Sequence, residues 1–294
     1  MNDSFSFKKT ILVTGSGGQL GMELRNLSAQ YPNYKFLFTS KEDLPIDDFK
    51  LVKKYFEKQQ IDHCINCAGY TAVDKAESEK DKAFNINADA AGNLSSICKA
   101  HQAQLIHIST DYVFDGSAAI PYKEVDRVNP INIYGASKLR GEELILNNNS
   151  SAVIIRTSWV YSSYANNFVN TMLRLLKEKE TINVVSDQYG CPTYAADLAV
   201  AIMTIVDKED GVNSAKGIFN FCNEGIITWY DFAKAIKKFI KSNCTINPIP
   251  SSEYPTPAKR PQYSVLDTTK IKDTFDITIP KWEDSLHKCL ELNN

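Results

Sequence analysis

The sequence predicts an α/β fold, a doubly wound parallel sheet followed by a smaller C-terminal α+β region. Three observations carry that prediction. Short β-branched runs alternate with amphipathic stretches over the first half, as parallel sheets with crossover helices require. A glycine cluster sits between the first run and the first helix. After Trp159 the alternation loosens, which places an approximate boundary between residues 1–157 and 158–294. Some later segments can return across it to the sheet.

Taken in order, Thr10–Thr14 reads as a strand and Gln19–Ala29 as a helix. Lys35–Thr39 is the next strand, Phe49–Gln59 a helix, and His63–Cys67 a third strand. A long helix is expected from Asp81 to Ala100, with Ala83, Ile86, Ala90, Leu94 and Ile97 spaced for one apolar face. Strand Gln104–Ser109, helix Gly135–Leu146 and strand Ala152–Thr157 complete the first half. Later helices are expected at Phe168–Lys177, Ala195–Val206 and Thr228–Lys241, with strands near Ile182–Val185 and Ile218–Phe221. Pro248–Pro261 reads as a connection.

The 294 residues carry 33 Lys+Arg against 35 Asp+Glu, a net charge of −2. A nucleic-acid or anionic-membrane partner would call for a net basic field, so neither is expected. No apolar run reaches the roughly 18 residues of a membrane span. Seven cysteines, an odd and scattered set, read as reduced thiols of a cytoplasmic chain. Cys64 and Cys67 form a C-x-x-C, but three residues apart on a strand they face opposite ways, so core packing is expected. Histidine spacing offers no metal set, and no metal is expected.

Chemistry enters with Gly15-Ser16-Gly17-Gly18-Gln19-Leu20-Gly21, directly after the first strand. Glycines at Gly15, Gly18 and Gly21 permit a tight turn, close approach of backbone amides to a pyrophosphate, and close helix–strand packing. The helix N-terminus then meets the phosphate charge. The loop is therefore expected to bind a dinucleotide in a Rossmann-type fold. Thr39, Ser40 and Lys41 follow the second strand where NAD-specific folds place an acid, so NADPH is favoured, with NADH the alternative.

Y-x-x-x-K occurs as Tyr31/Lys35, Tyr134/Lys138 and Tyr230/Lys234. Only Tyr134/Lys138 lies in the helix that follows a strand ending in hydroxyls, Ser109-Thr110. Four apart on a helix, the two share a face. An ammonium there is expected to lower the tyrosine pKa and make Tyr134 a proton donor to a ketone oxygen. Thr110 is expected to hydrogen-bond the same oxygen.

These residues resemble the extended short-chain dehydrogenase/reductases and, within them, the dTDP-4-dehydrorhamnose reductase family. The matching blocks span nearly the whole chain: the glycine loop, 66–77, Asn87, 109–116, 132–138, 156–161, 187–193 and Arg260-Pro261. The resemblance implies NADPH-dependent reduction of the C4 ketone of dTDP-4-dehydro-β-L-rhamnose by Thr110, Tyr134 and Lys138, a step toward cell-surface polysaccharide. Ala68, Gly69, Tyr70 and Thr71 would lie along the cofactor. Asp111 and Trp159 would contact substrate, Trp159 offering a flat face to the sugar, and Arg260 would pair with the diphosphate.

Two departures stand out. Leu44-Pro45-Ile46 replaces a family Leu-Asp-Ile. Glu23 matches one carboxylate of a metal site at a dimer contact in some members, but Ala196 stands where another acid would be, leaving monomer or homodimer open. Tyr112 after Thr110-Asp111 lacks the carboxylate that related dehydratases use. Another dTDP-4-keto-6-deoxy sugar as substrate, or a non-catalytic subunit like that of methionine adenosyltransferase, are the rival readings.

Overall fold

The computed structural model describes residues 9–209 and 215–292. Strand β1 (Lys9–Thr14) leads through the glycine loop to helix α1 (Gln19–Leu27), then β2 (Tyr34–Thr39) and α2 (Phe49–Lys58). After β3 (His63–Asn66) come α3 (Val73–Ala76), α4 (Lys80–Phe84), a π-helical turn at Asn85–Ala90, and α5 (Ala91–Ala100). Strand β4 (Gln104–Thr110), α6 (Ile133–Asn148) and β5 (Val153–Thr157) follow. The later part runs β6 (Val160–Tyr161), α7 (Phe168–Glu178), β7 (Thr181–Val185), β8 (Tyr189–Gly190), β9 (Thr193–Tyr194) and α8 (Ala195–Glu209). It ends with β10 (Gly217–Phe221), β11 (Ile227–Thr228), α9 (Trp229–Ile240), β12 (Thr245–Ile249), α10 (Thr269–Phe275) and α11 (Trp282–Glu291).

Six parallel strands form the central sheet in the order β10-β5-β4-β3-β1-β2. Alternate residues enter opposite layers. Ile11, Val13, Ile65, Ile106 and Ile155 join a core with α1, α8 and α10, whereas Leu12, Cys64, Leu105 and Ile154 join one with α2, α5 and α6. Cys64 and Cys67 indeed contribute to different layers, and none of the seven cysteines is in a disulfide. The order reverses between β1 and β3, so the crevice at their carboxyl ends is where such a sheet takes a ligand. A separate core joins α7, α9 and α11 around Phe232, Tyr161 and Trp282. Helix α8, β10 and α10, although late in sequence, belong to the sheet layers.

Two expectations from the sequence are corrected. Asp81–Ala100 is not one α-helix: the π turn at Asn85–Ala90 interrupts it. That turn carries Asn87 inward, where it donates to the Tyr70 carbonyl (3.0 Å) and Ser137 Oγ (2.9 Å) and accepts from the Tyr70 amide (2.8 Å). Three tertiary hydrogen bonds outweigh regular helical pairing there, as π turns at functional sites often show. The second correction is Pro248, which lies in β12 rather than in a connection, opposite Val184 of β7. This parallel pair is two-stranded, and an edge tolerates a residue without an N–H.

Glu23 of α1 is buried, and its Oε1 has no hydrogen-bond partner. Burial, then repulsion from Asp197, pushes its carboxyl up to about 7. A carboxyl raised in the folded state favours folding less and less as pH climbs from its ordinary value to about 7. Glu23→Gln should therefore leave the melting temperature at pH 5 nearly unchanged and raise it at pH 8; equal shifts at both would refute a buried charge. Among the described residues no cluster of three or more His, Cys, Asp or Glu is arranged to hold a metal ion.

Candidate active site

A cleft of about 1380 Å³ opens at the carboxyl ends of the strands. Its size exceeds that of an ordinary small-molecule pocket and suits two nucleotide-sized ligands. The glycine loop forms one wall. Gly15 has φ +64°, and a Cβ there would stand 2.6 Å from the Ala68 amide nitrogen, so only glycine lets the loop lie on the end of β3. Gly17 faces open space. The start of α1 has no side-chain cap and no acid in its first turn, which leaves its amides and positive end for an anion. The cradle thus fits a dinucleotide.

The cleft is lined by Gly15, Gly18, Gln19, Leu20, Ser40, Ala68, Gly69, Tyr70 and Thr71 on the loop side, and by Thr110, Asp111, Tyr134, Lys138, Trp159 and Arg260 across from them. Two expected cofactor residues stand outside. Gly21 packs on the loop, where a Cβ would come within 2.5 Å of Ser16 Cα. Thr39 is buried; its hydroxyl donates to the Val13 carbonyl (3.3 Å), and its own carbonyl accepts from the Ser16 amide. Thr39 therefore shapes the loop from behind, and Ser40, Lys41 and Glu42 form the rim. Leu44, Ile46 and Asp47 continue that wall, so a carboxylate is present one residue beyond the Leu-Pro-Ile departure.

Asn132 caps α6 by accepting from the Gly135 amide (2.7 Å), which sets Tyr134 in the first turn facing the cleft. A Cβ on Gly135 would overlap the Tyr112 carbonyl, so glycine lets the helix seat against the 111–113 turn. The Tyr134 ring meets Tyr112 edge-on, with centroids 5.7 Å apart. Burial pushes the Tyr134 hydroxyl up to about 12, Asp111 adding to this, while a hydrogen bond with Thr110 pulls the other way. The expected lowering by Lys138 is absent. The lysine turns into the sheet instead, its Nζ donating to the Ile108 carbonyl (2.6 Å) and lying 3.1 Å from His107 Nε2. Burial brings Lys138 down to about 8, opposed by Glu142.

Thr110 Oγ1 donates to Asp111 Oδ1 (3.0 Å), and Asp111 Oδ2 has no hydrogen-bond partner. Asp111 is fully enclosed; burial raises its carboxyl to about 7 against the pull of the Ser264 and Thr110 hydroxyls. Ser109, the neighbouring hydroxyl, is committed elsewhere and donates to Glu142 Oε1. The other Y-x-x-x-K helical pair stays outside the cleft: Lys234 lies over the Tyr230 ring and pairs with Asp231 on the surface.

Trp159 adopts φ +47°, a strained conformation for a bulky residue. Trp229 stacks on it with centroids 3.5 Å apart. A Cβ on Gly190 would lie 2.5–2.9 Å from three atoms of the Trp159 ring, which puts the glycine backbone close against that ring. Trp229 therefore covers one flat face of Trp159, and Trp159, Trp229 and Phe168 line the cleft together. Arg260 forms a bidentate pair with Asp74, NH1 to Oδ1 at 3.0 Å and NH2 to Oδ2 at 2.8 Å, on the cleft rim. Sequence reasoning missed Trp229, Phe168 and Asn167 as cleft residues. The Thr228 capping box announces the start of α9 but not that Trp229 meets Trp159.

The RmlD substrate binding domain family model matches residues 9–294. A dTDP-4-dehydrorhamnose reductase of Aggregatibacter actinomycetemcomitans is 39% identical over 283 residues, covering 94% of this chain and 96% of that protein. The crystal structure of a dTDP-4-dehydrorhamnose reductase from Clostridium acetobutylicum is similar at 40% identity and TM-score 0.90, over 96% of this chain and 99% of that one. One from Bacillus anthracis, solved in complex with NADP, matches at 37% identity and TM-score 0.92, over 97% and 99%. Full-length agreement in sequence and fold, around a cleft that joins a dinucleotide cradle to a Thr-Tyr-Lys set, makes this chain a member of the dTDP-4-dehydrorhamnose reductase family.

Proposed function

We propose that the protein reduces the C4 ketone of dTDP-4-dehydro-β-L-rhamnose to dTDP-β-L-rhamnose, with NADPH as reductant and NADH as the alternative. The observation that carries this reading is one cleft in which the glycine cradle faces the hydroxyls of Thr110 and Tyr134. When bound, the reduced nicotinamide supplies a hydride. Tyr134, a neutral phenol at physiological pH, gives its proton to the ketone oxygen, and Thr110 hydrogen-bonds that oxygen. Ala68, Gly69, Tyr70 and Thr71 bound the cofactor side; Asp111, Trp159 and Arg260 bound the sugar-nucleotide side. Residues 1–157 then serve mainly the cofactor and 158–294 mainly the substrate, with α8, β10 and α10 completing the sheet layers.

Purified protein should consume NADPH, followed by absorbance, when given dTDP-4-dehydro-β-L-rhamnose. No oxidation of NADPH or NADH would overturn the reading, and a faster rate with a stereoisomeric dTDP-4-keto-6-deoxy sugar would redirect it. Arg260→Ala should raise KM for the dTDP-sugar about 10- to 100-fold, the size of a lost charge-assisted hydrogen bond, without weakening NADPH binding. An unchanged KM would mean that Arg260 serves Asp74 alone. The proposed location is the cytoplasm, which suits seven cysteines outside any disulfide; no described helix is long and apolar enough to cross a membrane. The proposed ligands are the two nucleotides, with no nucleic acid or membrane partner, and the working unit is a monomer or homodimer.

A further inference from the structure

Arg260 sits in a segment that is pinned on both sides of it. Asp74 Oδ1 accepts from the Ala258 amide (3.2 Å), and Asn132 Nδ2 donates to the Lys259 carbonyl (2.8 Å). After the arginine, a Cβ on Gly116 would stand 2.6 Å from Pro261 Cβ, so Pro261 packs against bare backbone. Asn132 also caps α6, which ties the segment to the turn that carries Tyr134. The guanidinium NH1 donates to Asp74 Oδ1 (3.0 Å) and to the Ala258 carbonyl (3.2 Å), and NH2 donates to Asp74 Oδ2 (2.8 Å). No described residue accepts from Nε or from the outward hydrogen of NH2. A guanidinium is planar, and either its end or its side can grip a pair of oxygens. Asp74 takes the NH1–NH2 edge and leaves the Nε–NH2 edge, on a residue that lines the cleft.

We propose that Asp74 is a positioning residue for the substrate: it holds the end of the Arg260 guanidinium so that the Nε–NH2 edge is set, before any ligand arrives, to grip two oxygens of a nucleoside diphosphate. The identity of that ligand as the diphosphate of a dTDP-sugar rests on the reductase reading. Two effects of the carboxylate oppose each other. Its charge repels an incoming diphosphate, but both side chains are partly exposed on the cleft rim, where water and salt screen the repulsion. Its hydrogen bonds fix a rotamer-rich side chain, whose ordering on binding would otherwise weaken the complex about 3- to 10-fold. The second effect acts at contact distance and escapes the screening, so the carboxylate helps. Hydrogen bonds from Arg260 and from the Ala258 amide hold the Asp74 carboxyl below its usual range, which keeps the pair charged. The dinucleotide has its own anion seat at the uncapped start of α1 and should not need this one.

Calorimetric titration of the intact, NADPH-loaded protein with dTDP, which has no ketone to reduce, tests this without turnover. Arg260→Ala should weaken dTDP about 10- to 100-fold. Asp74→Asn, which keeps an acceptor for the Ala258 amide, should weaken it about 3- to 10-fold. Neither variant should change the dissociation constant for NADPH. If Asp74 acts through Arg260, Asp74→Asn should cost nothing further in the Arg260→Ala background. In turnover, the Asp74→Asn loss should appear in KM with kcat unchanged. Arg260→Lys leaves Asp74 in place and keeps the charge but has no second edge, so it should bind dTDP about as poorly as Arg260→Ala. That variant decides the matter if Asp74→Asn does not fold. The proposal is overturned by additive losses in the double variant, by unchanged or tighter dTDP binding in folded Asp74→Asn, or by weaker NADPH binding. A fall in kcat alone, an Arg260→Lys protein that binds like wild type, or a wild type that does not bind dTDP would overturn it too. Coupled dTDP losses in a protein that reduces no dTDP-4-keto sugar would uphold it and discard the reductase reading. Normal reduction by a folded Asp74→Asn variant would do the reverse.

Discussion

Tyr134→Phe should lower turnover by about 10²- to 10⁴-fold, the usual weight of a positioned proton donor. Its dissociation constant for NADPH should stay within about fivefold of wild type, since one neutral hydrogen bond is worth roughly 1 kcal/mol at most sites. The phenyl ring keeps the edge contact with Tyr112, so packing is little disturbed. Only the hydroxyl goes, and with it the proton that burial keeps on Tyr134 up to about pH 12. Single-turnover reduction followed by absorbance separates this from slow product release. A variant with normal turnover would remove Tyr134 from the chemistry; one that also lost NADPH binding would make its role structural. Thr110→Val serves as the companion, because its hydroxyl reaches both Asp111 and the Tyr134 hydroxyl.

The largest stability effect should come from a residue outside the chemistry. Glu142 and Arg156 are each 2% exposed and meet at 2.7 Å between NH2 and Oε2, with Nε of Arg156 donating to Oε1 at 3.0 Å. Ser109 adds a third donor to the carboxylate, at Oε1. Glu142→Ala leaves a buried guanidinium without its counter-charge, which should cost about 3–5 kcal/mol. For a chain of this size that corresponds to a fall in melting temperature of roughly 10 °C. Denaturant unfolding would measure it. Replacing both partners by leucine should recover much of the loss, because no unpaired charge remains; a double variant as unstable as the single would locate the stabilisation in the pair itself. Since Glu142 also favours the charged form of Lys138, the single variant should lower the Lys138 midpoint further.

The half that carries the glycine loop was largely legible in the sequence because its signals are local. A β-branched run, three spaced glycines and a helix start lie within a dozen residues, and their steric logic needs no distant partner. The same holds for Tyr134 and Lys138, four residues apart on one helix. Arg260, by contrast, could be read as a cation in a loop but not as Asp74's bidentate partner, 186 residues away. Trp159 was legible as a cleft residue, yet its packing against the Gly190 backbone and under the Trp229 ring was not. The helix expected over Asp81–Ala100 failed at Asn87 because apolar periodicity carries no trace of hydrogen bonds made to Tyr70 and Ser137.

By itself, then, the sequence determined the fold class, the dinucleotide loop, the tyrosine–lysine helix and the family. Those are properties of contiguous segments and of residue types at fixed spacing. Only the tertiary structure decided the state of Tyr134 and Lys138. Lys138 was expected to act outward on Tyr134, but it turns inward to Ile108 and His107, and Tyr134 rises rather than falls. Burial and hydrogen-bond partners set a protonation state, and here the partners come from β4, whose Ile108 and His107 lie 30 and 31 residues before Lys138 in the chain.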